Sequence, residues 1–247
     1  MATNRKLYDF PIAVASGIDD YNSVVNIFGF NSTATTDFRV LWEKASDYTP
    51  PSSAQQMQVK STNTTDTMNL LIQGLDSNYD VLNETITLTG TNVVTTTNSF
   101  FRINNAIILS GSNVGVIDIG NDLAGTPTYY AAIRAGDGKT QMSHYTVPRG
   151  YCFFLYRIDA FSADSSALKP GIFRNKLTNS TGRVLTVART TFAGNMNIQR
   201  RLPFKYDEKT DIAFQGATLS GLHEIGVFAE GLLAEQLGQT HLNNLSG

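Results

Sequence analysis

The sequence predicts an all-β fold, built from one or two antiparallel β-sandwiches of the jelly-roll type with an N-terminal arm. Short runs rich in β-branched and aromatic residues recur along the chain, and Gly-, Asn-, Ser- and Thr-rich turns separate them. No sustained helical period precedes the C-terminal region, and no repeat of fixed length indicates a propeller or a solenoid. Such a series is typical of sandwiches or barrels, not of alternating strands and helices.

The composition limits the classes of partner. The 247 residues suffice for one large or two small domains with a real core. Only 16% of them are charged, against about 25% in ordinary globular proteins, and the net charge is −2. Because so small a net charge creates no strong electrostatic field around the protein, we expect neither nucleic acid nor a membrane surface as a partner. The single cysteine, Cys152, excludes an internal disulfide framework and, within the run YCFF, is interpreted as a core residue.

The order of segments predicts an arm, two sandwiches and a loose tail, at residues 1–21, 22–120, 128–235 and 236–247. Pro11 and Gly17 interrupt any regular period in the arm. The domain boundary is placed in the Gly- and Pro-punctuated segment 120–127, although a long loop inside one domain has the same composition. The tail is predicted because no further strand pattern is visible after Gly238.

The predicted strands of the first half lie at 23–30, 37–42, 57–60, 69–73, 84–89, 93–97, 100–109 and 114–119. From Thr85 to Thr89, hydroxyls and aliphatic side chains alternate, which predicts one face in water and one in the core. The successive prolines Pro50 and Pro51 require an extended loop between strands. The segment 74–80, GLDSNYD, has the composition of a turn.

The predicted strands of the second half lie at 128–134, 140–147, 151–161, 171–176, 183–191, 197–202, 212–214 and 224–233. The chain is centred on Tyr145–Phe161, in which a tight corner at Pro148–Gly150 separates two strand-like runs. The residues expected to share one face after the corner are Cys152, Phe154, Tyr156, Ile158 and Ala160. This pattern predicts a central strand pair in the second sandwich. The last run, 224–233, fits either a strand or a short amphipathic helix.

The sequence contains no motif of a known catalytic class. The three histidines, His144, His223 and His241, are isolated, and neither HExxH nor a GxSxG elbow is present. We therefore expect no enzyme activity, cofactor or metal site. A pair of glycosidase carboxylates stays open, because such pairs meet in space and follow no spacing rule.

Contact residues are expected on the arm, among the aromatic side chains, at the corner and in the one local basic cluster. They are Leu7, Tyr8, Phe10, Tyr129, Tyr130, Arg149, Arg200 and Arg201. The apolar side chains of the arm either fold back on their own domain or reach a neighbouring subunit. Asp207, Glu208 and Asp211 lie among the basic residues, which favours a solvated or subunit-facing ion-pair strip over a nucleic-acid track.

Three stretches resemble a family of virion structural proteins encoded by tailed phages, particularly marine ones. They are GLDSNYDVLNETITLTGTNVVTTTNSFFRINNAI (74–107), YTVPRGYCFFLYRI (145–158) and LPFKYDEKTDIAFQGA (202–217), and the resemblance spans about residues 23–235 in order. Where relatives often have Pro-Ala-Gly, this chain has Pro148-Arg149-Gly150, which keeps the turn and changes what projects from it. The family offers no catalytic residues to carry over.

The resemblance implies a non-enzymatic protein located in the virion. Such a protein decorates or cements the capsid, or forms part of the neck or tail, as a homo-oligomer, a trimer or larger, in contact with major capsid or tail proteins. A weakly charged surface suits this role because little charge is desolvated on assembly. The alternative is a carbohydrate- or receptor-binding module of the tail. It predicts exposed aromatic side chains in a groove, with Trp42, Tyr48, Tyr129 and Tyr130 as candidates. In β-rich chains, however, aromatic side chains more often fill cores or subunit contacts.

Overall fold

The structure is a computed structural model that describes residues 10–19, 21–163 and 170–236. Within these ranges it contains one short helix and sixteen strands, and all strand pairs are antiparallel, which confirms the all-β class. The helix, α1 (Phe10–Ala15), lies in the segment expected to be an irregular arm. Its second residue is Pro11, which the first turn of a helix tolerates because no intrahelical acceptor awaits that amide. No helix in the described ranges has the length and hydropathy to cross a membrane.

The strands form two sandwiches. One contains β1 (Asn22–Ala34), β2 (Arg39–Val40), β10 (His144–Thr146), β11 (Tyr151–Ser162), β12 (Gly171–Thr178), β13 (Val184–Phe192), β14 (Asn195–Tyr206), β15 (Asp211–Thr218) and β16 (His223–Glu235). The other contains β3 (Gln55–Ser61), β4 (Asn69–Leu75), β5 (Val81–Thr87), β6 (Val94–Phe100), β7 (Arg102–Ile108), β8 (Ile117–Asn121) and β9 (Thr128–Ile133).

The first of these sandwiches is a jelly roll. One of its sheets has the order β1-β16-β11-β14. The other has the order β13-β12-β15, and both β10 and β2 pair with the remaining edge of β15. When β2 and β10 count as one strand, the eight strands in chain order form sheets 1-8-3-6 and 2-7-4-5. This is the double Greek-key arrangement of jelly rolls.

The second strand of the jelly roll is split. Val40 of β2 pairs with Gln215, and His144 of β10 pairs with Ala213, so that both pieces lie along the same edge of β15. Between the two pieces, the Ser143 amide donates a hydrogen bond to the Leu41 carbonyl oxygen at 3.0 Å. The chain therefore leaves the strand after Leu41 and returns to it at Ser143.

The excursion between these two residues contains the entire second sandwich, which we call the inserted sandwich. Its sheets have the orders β6-β3-β8-β9 and β5-β4-β7. Each sandwich has its own core: Phe153, Phe173 and Phe214 are fully buried in the jelly roll, and Ile72 and Phe100 in the inserted sandwich. The local alternation of apolar residues builds each core, but it does not determine which core a strand joins.

The grouping of strands departs from the linear division expected from the sequence. Strand β1 pairs with β16, from Asn22 opposite Ala234 to Ala34 opposite His223, and so belongs with the C-terminal strands. The segment 120–127, expected as a domain boundary, lies at the β8–β9 hairpin, where Asn121 pairs with Thr128. A jelly roll closes by pairing its first strand with its last, and composition carries no signal for such a distant partner.

The corner at Pro148–Gly150 passes the chain from one sheet to the other. Gly150 adopts φ 79°, a conformation that favours glycine. Strands β10 and β11 on either side of the corner pair with β15 and with β14 and β16, so the expected central strand pair is wrong. Strand β11 itself lies in the interior of its sheet, as expected, and β16 is a strand, not a helix.

A bulge at Tyr156 resets the alternation of β11. Leu155 pairs with Gly231 and Arg157 with Glu230, so Tyr156 has no partner on β16. Leu155 is therefore fully buried before the bulge and Ile158 after it, whereas Tyr156 is 40% exposed. The expectation that Tyr156 shares a face with Ile158 is wrong, because one extra residue shifts the two-residue period.

Candidate functional site

The two sandwiches meet across a buried ion pair. Arg102, at the start of β7, donates from Nε and Nη2 to the two carboxylate oxygens of Asp211 on β15, at 2.9 Å each. The two side chains are 7% and 16% exposed. Nη1 of Arg102 donates to the carbonyl oxygens of Pro51 at 3.1 Å and Phe101 at 2.8 Å. Such a bidentate pair is tolerated in the interior because further hydrogen bonds satisfy the guanidinium.

Hydrogen bonds beside this pair attach the inserted sandwich to the free edge of β10. The side-chain amide of Asn104 on β7 donates to the Thr146 carbonyl oxygen and accepts from the Thr146 amide, at 2.9 Å each. Thr146 Oγ1 donates to Asp211 at 2.5 Å. The side chain of Asn104 thus satisfies backbone groups that an adjacent strand would otherwise satisfy.

The buried groups beside the pair have shifted pKa values. Burial raises the pKa of Asp211, but the hydrogen bonds from Arg102, together with His144 and Thr146, hold it below its ordinary value. Burial lowers the pKa of His144 to about 4, against the opposing attraction of Asp211, whose oxygen lies 3.9 Å from Nε2. The ring of Tyr48 packs on His144 with centroids 4.6 Å apart. His144 is therefore neutral near pH 7 and acts as a packing residue.

Two further ion pairs join the segment after Leu41 to the inserted sandwich. Lys44 Nζ lies 2.6 Å from Asp118, and Arg134 Nε lies 3.0 Å from Glu43. Asp118 is buried, whereas Arg134 is 37% exposed. These pairs lie close to the neck of the insertion, which is the point where the chain leaves the jelly roll after Leu41 and returns to it at Ser143. They supplement the buried pair, with less effect where water screens the charges.

The corner also contacts the inserted sandwich. Arg149 Nη2 lies 2.7 Å from Asp80, and the Arg149 amide donates to the Tyr79 carbonyl oxygen at 2.8 Å. Arg149 remains 51% exposed. The turn GLDSNYD is held by Asp76, whose side chain accepts from the amides of Asn78 and Asp80. The corner residue predicted to contact partners is therefore exposed and also joins the two sandwiches.

A cleft of about 510 Å³ opens between β1 of the jelly roll and β4, β5 and β7 of the inserted sandwich. This volume is typical of small-molecule sites. Amide side chains dominate its polar lining, and they belong to Asn26, Gln73, Asn83, Asn104 and Asn105. Val24, Tyr151 and Leu233 supply apolar surface, and Lys139 is the only charged side chain among the described lining residues. The cleft therefore offers neutral donors and acceptors beside the aromatic rings of Phe28, Tyr145, Tyr151 and Phe228.

One side of the jelly roll is formed by the edge strands β13 and β14, which have no further strand partner among the described residues, and we call it the β13–β14 edge. On β14, residues 200–203 form a bulge opposite Tyr156, because Phe204 pairs with Leu155 and Gln199 with Arg157. Leu202 in this bulge is 83% exposed, and Val184 on β13 is also exposed. Unpaired strand edges with exposed apolar side chains are sites at which another chain can pair.

The structure does not test the contacts predicted for the arm residues Leu7, Tyr8 and Phe10. Leu7 and Tyr8 lie outside the described residues. Phe10 begins α1, but its side chain also lies outside the described set.

The aromatic candidates are placed at contacts within the chain. Tyr130 is buried, and its hydroxyl accepts a hydrogen bond from Gln55 at 2.8 Å. Tyr129 is half-buried beneath the Lys44 ammonium group, 4.2 Å from the ring centroid. Trp42 and Tyr48 are buried between the sandwiches. Trp42 and Tyr48 are therefore not exposed for sugar stacking, because the junction of the sandwiches covers them. Tyr130 is not exposed either, because it lies in the core of the inserted sandwich.

The basic cluster is divided in the structure. Arg200 is half-buried over the Phe204 ring at 5.6 Å, and Arg201 is exposed beside it in the β14 bulge. Lys205 and Asp207 form an exposed ion pair at 2.8 Å, as expected for a solvated strip. Asp211 does not belong to this strip, because it is buried with Arg102.

Cys152 is buried, which confirms its interpretation as a core residue. Its Sγ lies 3.8 Å from the carbonyl oxygen of Ala234, and burial raises the pKa of the thiol. Across the described ranges, no group of three or more His, Cys, Asp or Glu side chains assembles as a possible metal site.

Sequence reasoning missed the residues that join the sandwiches. Arg102 and Asp211 are separated by 109 positions, and Asp211 was assigned to a surface strip. A usable signal is the isolation of Arg102 within the strand run SFFRINNAI, where it is the sole charged residue among apolar and neutral ones. A charge placed in a β-branched and aromatic strand needs a partner if that strand is buried.

Comparisons with known proteins do not assign the chain to a family. No protein-family model matches the chain, and no curated protein matches it. Among solved structures, the chain is similar to the VP2 subviral particle of infectious bursal disease virus, with 9% identity, 88% of this chain and 73% of that chain covered, and a TM-score of 0.21. It is also similar to a structure of the Gt strain of the same virus, with 10% identity, 87% and 72% coverage, and a TM-score of 0.19.

Proposed function

We propose that this chain is a non-enzymatic virion structural protein of a tailed phage, a capsid decoration protein or a neck or tail component, assembled as a homo-oligomer. The observation that carries the proposal is the jelly-roll topology with a complete sandwich inserted into one strand. Jelly rolls recur in viral capsid proteins and in lectins, which supports a virion role by analogy of fold. The resemblance of three sequence stretches to phage virion proteins supports the phage assignment.

The insertion separates two tasks within one chain. The inserted sandwich is entered after Leu41 and left before Ser143, on the side of the jelly roll opposite the β13–β14 edge. The β13–β14 edge stays open for a neighbouring subunit. The jelly roll is accordingly the assembling part and the inserted sandwich is the displayed part.

Mass spectrometry of purified virions tests this proposal. We expect peptides of this chain at many copies per particle, in constant proportion to the major capsid or tail proteins after gradient purification. Detection only in the lysate of infected cells, at an abundance no higher than that of non-virion proteins, contradicts it.

A second candidate function is a carbohydrate-binding module of the tail, and the cleft between the sandwiches favours it. Glycan hydroxyl groups both donate and accept hydrogen bonds, as the amides of Asn26 and Asn83 do, and Tyr151 supplies an aromatic wall. A glycan array tests it by comparing the unmodified chain with the N83A variant, which lacks one of the amides that line the cleft. Binding that is lost in N83A supports this function, and the absence of binding by the unmodified chain removes it.

A further inference from the structure

Two arginines face each other across neighbouring strands of the jelly roll. Arg174 on β12 pairs directly with Arg189 on β13, so their side chains leave the sheet on the same face. Like charges directly opposite each other in an antiparallel pair are destabilising. A sequence that retains two arginines here therefore needs something to offset their repulsion.

One aromatic ring lies under both guanidinium groups. The Cζ atoms of Arg174 and Arg189 lie 4.2 and 5.0 Å from the centroid of Phe38. Nε and Nη2 of Arg174 both donate to Oε1 of Gln215, at 2.8 and 2.5 Å, and Nη1 has no hydrogen-bond partner among the described residues. The ring and the amide fix the position of the Arg174 guanidinium, but they supply no negative charge.

No carboxylate forms an ion pair with either arginine in the part of the chain that the structure describes. The neighbouring Arg39, by contrast, pairs with Asp37 at 3.2 Å. Burial and the charge of Arg189 lower the pKa of Arg174, against the weaker opposing influence of Asp47. Within the described ranges, the two guanidinium groups thus form a cationic site that neutral groups anchor and that no ion pair neutralises.

We propose that Arg174 and Arg189, stacked on Phe38, bind an oxyanion. Guanidinium groups match the geometry of carboxylate, sulfate and phosphate oxygens, and two of them together supply more donors than one anion needs. Stacking on an aromatic ring leaves the N–H groups at the edge of each guanidinium free for such an anion. The oxyanion is either a small ion from solution or a carboxylate of a second copy of this chain.

The test uses inorganic sulfate as the probe and the melting temperature of the full chain as the readout. Sulfate replaces chloride at constant ionic strength, and unmodified protein is compared with R189Q and with R183Q. Arg183 is an exposed arginine that precedes the same strand and serves as the matched control. Arg189 is exposed, so its replacement leaves the core of the jelly roll unchanged.

We expect millimolar sulfate to raise the melting temperature of the unmodified chain and of R183Q by roughly 3 °C once its concentration is about ten times the dissociation constant. In R189Q the rise is at least halved. An equal rise in all three proteins overturns the proposal, because sulfate also stabilises proteins generally through exclusion from their surface.

Sedimentation velocity distinguishes the two sources of the oxyanion. If a carboxylate of a second copy occupies the site, R189Q lowers the oligomer mass and added sulfate lowers the mass of the unmodified chain. If the ion comes from solution, sulfate raises the melting temperature without changing the mass. Absence of both a selective thermal shift and a change of mass contradicts binding of either kind.

Discussion

Leu41 and Ser143 are hydrogen-bonded to each other although they are 102 positions apart in the sequence. The Ser143 amide donates to the Leu41 carbonyl oxygen at 3.0 Å, and the Leu41 amide donates to Ser143 Oγ at 2.8 Å. Ser143 Oγ also donates to the Phe214 carbonyl oxygen at 2.5 Å. These three bonds close the neck of the insertion and continue the split strand along β15.

Replacement of Gly29 by alanine is expected to destabilise this neck. A Cβ atom at Gly29 on β1 would lie 2.3 Å from the Ser143 amide nitrogen and 2.5 Å from the Leu41 carbonyl oxygen, and neither backbone atom can move without breaking the split strand. We expect G29A to lower the free energy of unfolding by about 3 kcal/mol in urea titrations. The exposed Ser32 on the same strand provides the control, S32A, with a change within about 0.5 kcal/mol. Equal stability of G29A and S32A contradicts the packing described.

Removal of one partner of the buried ion pair is expected to cost far more than removal of one partner of an exposed pair. In R102M, Asp211 keeps its buried charge without the guanidinium, so we expect a loss of about 3–5 kcal/mol in the free energy of unfolding. K205M removes the exposed partner of Asp207, whose side chain is 74% exposed, and should cost less than about 1 kcal/mol. Similar losses in the two variants show that Arg102 does not join the sandwiches as described.

The free energy of unfolding is expected to decrease as the pH is lowered from about 6.5 to about 4. The folded protein holds the pKa of His144 at about 4, whereas the unfolded chain takes up a proton near pH 6.5, so acidification favours unfolding throughout this window. The folded protein holds the pKa of Asp211 below its ordinary value near 3.9. Below that pH the unfolded chain takes up a proton at Asp211 before the folded protein does, so acidification removes further stability.

Unfolding measured by urea at pH 7 and pH 5 checks this expectation. The unmodified chain should lose about 2 kcal/mol between the two values. In H144Q, which keeps a polar side chain but cannot titrate, the loss should shrink by more than half. An unchanged loss in H144Q assigns the pH dependence to other groups.

The β13–β14 edge is expected to carry a subunit contact. We expect L202D to lower the oligomer mass measured by light scattering, because a carboxylate replaces an 83% exposed leucine in the bulge and resists desolvation. Leu109 is 53% exposed in the inserted sandwich, and L109D, its matched control, should leave the mass unchanged. Loss of mass in L109D alone places the contact on the other sandwich.

The sequence predicted individual strands well because their signal is local. The alternation from Thr85 to Thr89, for example, overlaps β5, where Ile86 is buried between exposed threonines. Tyr156 shows the limit of this signal, since an unpaired residue in a bulge looks like any other member of an alternating run. The tight corner before Tyr151 was visible in advance from Pro148 and Gly150, but the sheets it connects were not.

The pairing of distant segments was not visible from the sequence. Nothing near Leu41 indicates that the strand resumes at Ser143, and the loop between β8 and β9 has the same glycine and proline content as a domain linker. The buried pair of Arg102 and Asp211 likewise depends on the insertion, which brings two residues 109 positions apart into contact. The exposure of Leu202 was missed because exposure at a bulge follows from the register of three strands.

A cryo-electron microscopy map of the assembled virion tests the central proposal most directly. We expect repeated density in which the jelly roll contacts its neighbours through the β13–β14 edge and the inserted sandwich projects from the neck at Leu41 and Ser143. A map at side-chain resolution in which every density is assigned to other proteins, with no copy of this chain, contradicts a structural role in the virion.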